Sequence, residues 1–116
     1  MIIKIIFIFS LFYLFFLSFN SYAEQLEEYK IQIKDHQFTP LITEIPANKK
    51  VKLIIENLDK TAEEFESVDL SREKIVAGGR VINVMIGPLK EGEYKYFGDF
   101  HPKTAQGKII IRNYRN

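Results

Sequence analysis

"GEYKYFGDFHPKTAQGKIII", residues 92–111, begins and ends as β-strand. Tyr94 and Tyr96 alternate with Glu93 and Lys95, which is the period-two pattern of a half-buried strand. "GKIIIRN", residues 107–113, supplies a second apolar run. Between the two lies "GDFHPKTAQG", with Gly and Pro where a chain reversal needs them. The loop therefore carries Asp99 and His101, two residues apart, between strands that belong to a core.

The same period recurs upstream. In "EYKIQIK" (28–34), Tyr29, Ile31 and Ile33 share one face. "KKVKLIIEN" (49–57) places Val51, Leu53 and Ile55 together, and "RVINVMI" (80–86) places Ile82, Val84 and Ile86 on the expected core side. Pro40 and Pro46 bracket a segment too irregular for a central strand. "NLDK", "AGG" and "GPLKEG" read as turns, and "DLSREKI" (69–75) has room for one helical turn capped by Ser71. Helical periodicity of useful length is absent. Six to eight short strands with turns every 8–12 residues predict an all-β, antiparallel Greek-key sandwich.

The first quarter differs from the rest. Met1–Lys4 is short and positive, and residues 5–19 are dominated by Ile, Phe and Leu. Ser21-Tyr22-Ala23 places small residues three and one places before Glu24. This is the pattern of a signal peptide, residues 1–23, cleaved after Ala23; an uncleaved anchor is the alternative. The expected mature domain is 24–116, exported to the periplasm. It retains 15 basic and 15 acidic residues, a balance that argues against nucleic acid as a partner. The chain has no cysteine. That excludes thiol catalysis, cysteine-dependent metal sites and a disulfide-linked partner.

Four segments together resemble a cupredoxin-like domain. "FTPLITEIPANKKVKLIIEN" (38–57) is similar to the family's second and third strands, and "NLDKTAEEF" (57–65) to the segment leading to the first copper histidine. "GPLKEGEYKYF" (87–97) is similar to the hairpin before the copper loop, and "GDFHPKTAQGKIII" (98–111) to the ligand loop and last strand. A blue-copper centre takes two His, one Cys and a weak axial Met. By the resemblance, the first histidine position falls on Glu63 and the cysteine position on Gly98. The axial position falls near Ala105 or Gln106, and His101 stands at the second histidine position. "EEFES" (63–67) further resembles the Glu-aromatic-Glu element of EfeO-type cupredoxin-like proteins associated with bacterial iron uptake, through Glu64-Phe65-Glu66. That resemblance implies iron traffic and an inner-membrane iron permease as partner.

The candidate metal ligands are Glu63, Glu64, Glu66, Asp99 and His101. Glu64 and Glu66 share a strand face, and Phe65 points the other way into the core. A carboxylate-rich set with one imidazole suits iron or copper(II), and the lack of sulfur disfavours copper(I). The same acidic run also fits a solvated strand edge. Tyr94, Tyr96, Phe97 and Phe100 are expected in the core and the site wall. His36, in "KDHQF", has no partner named by the sequence and is expected at the surface, with metal or partner binding the alternative. No Ser/His/Asp arrangement or phosphate loop is present, so an enzyme is not expected. The expected function is an exported metal-binding accessory of iron uptake. The alternative is a metal-free cupredoxin scaffold that docks on a membrane permease.

Overall fold

Alternating apolar residues bury one face of a strand, and two such faces must close on each other. They do so here in nine strands. In this computed structural model, residues 25–114 are described. The strands are β1 (Glu28–Lys34), β2 (Gln37–Thr39), β3 (Ile42–Pro46), β4 (Val51–Asn57), β5 (Glu63–Ser67), β6 (Arg72–Val76), β7 (Val81–Ile86), β8 (Gly92–Gly98) and β9 (Gln106–Arg112). One sheet has the order β2-β1-β4-β7 and the other β3-β9-β8-β5-β6. The expected signal peptide, residues 1–23, lies outside the described residues.

The all-β sandwich is as expected, with one refinement. β1 pairs with β4 and β3 with β9 in parallel, while the remaining pairings are antiparallel. Within the segment that Pro40 and Pro46 bracket, Ile42–Pro46 form β3, at the edge of the larger sheet, where the prolines interrupt no central ladder. Ile31, Ile33, Leu53, Ile55, Val84 and Ile86 of one sheet meet Ile45, Phe65, Tyr96, Ile109 and Ile111 of the other.

An aromatic cluster sits in this core, two residues along the chain from His36, Glu63 and Gly98. Phe38 packs edge-on to Tyr96 at 4.9 Å, and Phe65 lies 5.0 Å from Tyr96. Tyr96 passes over Gly107, its cross-strand partner. A Cβ at Gly107 would lie 2.4 Å from the tyrosine ring. Close packing of this kind tolerates little added volume.

Two expectations fail. Residues 69–75 form no helical turn: Arg72–Val76 pair with β5 as a strand. Ser71 is not a helix cap; it stands at φ 54° in the β5–β6 turn. Ser67 performs the capping role, since its Oγ accepts the Leu70 N–H at 3.1 Å and donates to the Lys95 carbonyl at 2.6 Å. A strand pairing therefore prevails over a weak local helix propensity. Phe100 is not core: it is 46% exposed, because its backbone is committed to the site loop described below.

The free edges of β6 and β7 face each other across the sandwich. Arg72 Nε donates to the Met85 carbonyl at 3.1 Å and Lys74 Nζ to the Asn83 carbonyl at 3.0 Å. Basic side chains thus occupy edge carbonyls that would otherwise be open to a second chain. Phe65 is fully buried between the sheets, so Phe65→Ala is expected to cost about 3–5 kcal/mol in urea unfolding; a loss below about 1 kcal/mol would contradict this packing.

Candidate functional site

The loop after β8 is tightly folded on itself. Gly98 N–H donates to the Ala105 carbonyl at 2.9 Å, and Ala105 N–H donates to the His101 carbonyl at 2.9 Å. Asp99 N–H donates to the Glu64 carbonyl at 2.9 Å, tying the loop to β5. These bonds bring His101 beside the start of β5.

Glu63 begins β5 and alternates inward with Phe65 and Ser67. It is a carboxylate that is 1% exposed. Burial of a charge is costly unless it is paired and hydrogen-bonded. Glu63 has such partners. Its Oε1 accepts N–H bonds from Glu64 at 3.0 Å and Phe100 at 2.9 Å, and its Oε2 lies 2.6 Å from His101 Nδ1. The imidazole is therefore oriented by a carboxylate that is itself fixed by backbone.

The volume for this carboxylate comes from Gly98. A Cβ at position 98 would lie 2.5 Å from Glu63 Cδ and 2.7 Å from Ala105 Cβ. The glycine is needed for space, since its φ lies outside the left-handed region.

His36 is not the isolated surface residue expected. Its ring stacks on His101, with centroids 3.5 Å apart and planes 12° apart. The β1–β2 turn that carries it is anchored to Asp59, whose carboxylate accepts the Asp35 N–H at 2.8 Å and the His36 N–H at 3.0 Å. Asn57, fully buried, arranges Asp59 in turn: its Oδ1 accepts the Asp59 N–H at 3.0 Å, and its Nδ2 donates to the Thr61 and Val76 carbonyls. The Asn57-Leu58-Asp59 segment thus positions the imidazole pole.

Strand alternation separates the five candidate ligands. Glu63 and His101 meet inside the pole, whereas Glu64, Glu66 and Asp99 form a second group in which one oxygen from each lies within 4.8 Å of the others. Glu73 stands opposite Glu66 on β6. A hydrogen bond with Glu73, then partial burial and the negative neighbours Glu73, Asp99 and Glu66, push the Glu64 carboxyl up to about 7. Burial, then Asp99 and Glu73, push Glu66 up as well. One ion shared by all five residues is not the arrangement this geometry provides.

Residues 6–111 match the family of the cupredoxin-like domain. The chain belongs to the cupredoxin-like domain family. A curated relative, the uncharacterized protein RP394 of Rickettsia prowazekii (strain Madrid E), is 54% identical over 90 residues, covering 78% of this chain and 72% of that protein. Auracyanin A, a "blue" copper protein from Chloroflexus aurantiacus, shares the fold at a TM-score of 0.65 with 13% identity. The match covers 76% of this chain and all of that one. A purple cupredoxin from Nitrosopumilus maritimus matches at 0.55 with 22% identity, over 72% of this chain and 98% of that chain.

A type 1 copper centre does not fit this cupredoxin-like protein. Cysteine is absent from the sequence, and the Glu63 carboxylate and Ala105 methyl stand where a side chain at position 98 would begin. The donors that remain at the pole are carboxylate and imidazole, which suit copper(II), iron or zinc rather than copper(I).

Two outcomes follow from this geometry. Gly98→Cys is expected to lose about 1–3 kcal/mol by overpacking and, with copper(II) added, to show no thiolate-to-copper charge-transfer band; an intense band in that single variant would contradict the packing of Glu63. Glu64 binds its proton more tightly folded than unfolded. Its contribution is therefore full below the ordinary 4.5 and lost as pH rises through about 7. Glu64→Gln should match the parent chain in melting temperature at low pH and exceed it progressively across that window. A pH-independent difference would show that the acidic neighbours do not act on Glu64.

Proposed function

We propose that this cupredoxin-like protein is an exported metal-binding protein that holds copper(II) or iron through Glu63 and His101. The observation that carries the proposal is the buried Glu63 carboxylate, 1% exposed and 2.6 Å from His101 Nδ1, in a loop built for it. Two anionic or neutral donors converge at the surface end of a rigid sandwich, and His101 remains partly exposed. A cation arriving from solvent meets the His101 ring first and reaches Glu63 Oε2 by displacing the proton shared between that oxygen and His101 Nδ1. The protein supplies orientation: backbone N–H groups fix the carboxylate, and the carboxylate fixes the imidazole.

Service to an iron-uptake system, beside an inner-membrane permease, is the part of this proposal supported by the likeness of Glu64-Phe65-Glu66 to the EfeO-type element. In the fold, those two glutamates lie on the outer face of β5 with Asp99. There, once ionised, they add with Asp99 a negative potential next to the pole, which favours approach of a cation. Export to the periplasm is supported by the signal-like pattern of residues 1–23.

Calorimetric titration of the full chain with copper(II), and separately with ferric iron kept soluble by a weak chelator, tests the proposal. Saturable binding near one equivalent is expected for at least one of the ions, with a loss of about tenfold or more for His101→Ala and for Glu63→Gln. Heats that are the same for the parent chain and both variants would overturn it. Circular dichroism on each variant separates lost ligation from lost folding.

A further inference from the structure

A metal held by Glu63 and His101 alone would have two protein donors, fewer than stable protein metal sites use. The fold places a third within reach. One donor atom each from His36, Glu63 and His101 lie within 4.8 Å of one another. His36 comes from a different part of the chain from the other two, the turn between β1 and β2.

The backbone of that turn is unusual. Asp35 and His36 both adopt left-handed conformations, with φ of 52° and 58°. A two-residue hairpin with positive φ at both central positions normally carries Asn-Gly or Asp-Gly. A histidine at the second position gives up the freedom of glycine, and the conformation needs something to hold it. Asp59 provides this, with one oxygen on each of the two turn amides. Asp59 Oδ2 also lies 3.5 Å from His36 Nδ1. Asp59 thus fixes the backbone that carries the imidazole, while its contact with the ring is longer than a hydrogen bond.

We infer that His36 is a third metal donor, so that His36, Glu63 and His101 form a two-histidine, one-carboxylate site with its remaining positions open to solvent. The inference rests on Glu63 and His101 being metal donors. In the stack, the planes of the two rings lie side by side, 12° apart, so their in-plane lone pairs do not converge. Convergence requires the His36 ring to turn about its side-chain torsions while Asp59 keeps the backbone in place. Such a donor set, with open positions, takes iron(II) and copper(II) and leaves room for a small exogenous oxygen or nitrogen ligand. It also makes the ion exchangeable, because three protein donors on one side leave the other side accessible.

Copper(II) added to the untagged full chain and read by pulsed electron paramagnetic resonance counts the coordinated imidazoles. Two are expected in the parent chain. His36→Asn is the informative variant, since asparagine tolerates the left-handed backbone while removing the imidazole. It should retain the melting temperature of the parent within a few degrees, show one imidazole, and bind about 10–100-fold more weakly. One imidazole in the parent chain, or unchanged affinity and spectrum in His36→Asn, would overturn the assignment of His36 while leaving Glu63 and His101 standing. Absence of saturable copper(II) binding in the parent chain would overturn the metal reading itself and this inference with it. If His36→Asn unfolds, His36→Gln takes its place: two imidazoles in the parent falling to one in the variant, with weaker binding, supports the inference, and a variant whose spectrum and affinity equal the parent's contradicts it.

Discussion

Glu63 is a carboxylate sealed inside a protein end, and the structure around it follows from keeping it satisfied. Two backbone amides, Glu64 and Phe100, bond one oxygen, and His101 takes the other. Removing one partner leaves a buried polar group unsatisfied, which costs about 1–3 kcal/mol. The exposed pairs elsewhere, such as Lys49 with Glu27 or Arg112 with Glu44, are each worth at most about 1 kcal/mol. The pole is therefore held by the bonds of Glu63 and by the Asn57–Asp59 grip on the β1–β2 turn, and the exposed pairs matter little. Gly98 makes the Glu63 bonds possible by withholding a Cβ, and the loop from 99 to 105 is shaped to present the Phe100 amide and the His101 ring together.

The same constraint explains how a cupredoxin fold survives without its sulfur ligand. In this member, the space at position 98 is filled from across the sheet by the carboxylate of residue 63. On the proposed metal reading, a hard donor stands beside the position where the resemblance places a soft one, which changes the ions the pole would suit. The fold itself does not depend on that difference. Its core is the alternating Ile, Leu, Val and aromatic positions of the two sheets.

Much of the fold was legible because period-two alternation is a direct consequence of the strand pleat. Ile31, Ile33, Val51, Leu53, Ile55, Val84 and Ile86 all face inward as their spacing requires. The face of Glu63 was legible in principle too, because Phe65 turned inward must take residue 63 with it. Its charge masked this, since acidic residues are normally expected outside. His36 was not legible. "IQIKDHQF" lacks the Asn-Gly or Asp-Gly signal of a two-residue hairpin, and β2 is only three residues long. The contact between His36 and His101 depends on Asp59 gripping that turn, a tertiary bond that no local pattern announces. Ser71 was misplaced for a related reason: pairing with β5 outweighs a weak helix start.

On the proposed reading, a cation is held by the inward group around Glu63 and His101, and the outer acidic group of Glu64, Glu66 and Asp99 is separate from it. Anomalous diffraction at the copper edge, from crystals of the protein grown with copper(II), locates the ion directly. One strong peak within bonding distance of Glu63 and His101 is the predicted result. A peak seated among Glu64, Glu66 and Asp99 with none at the pole would contradict the account.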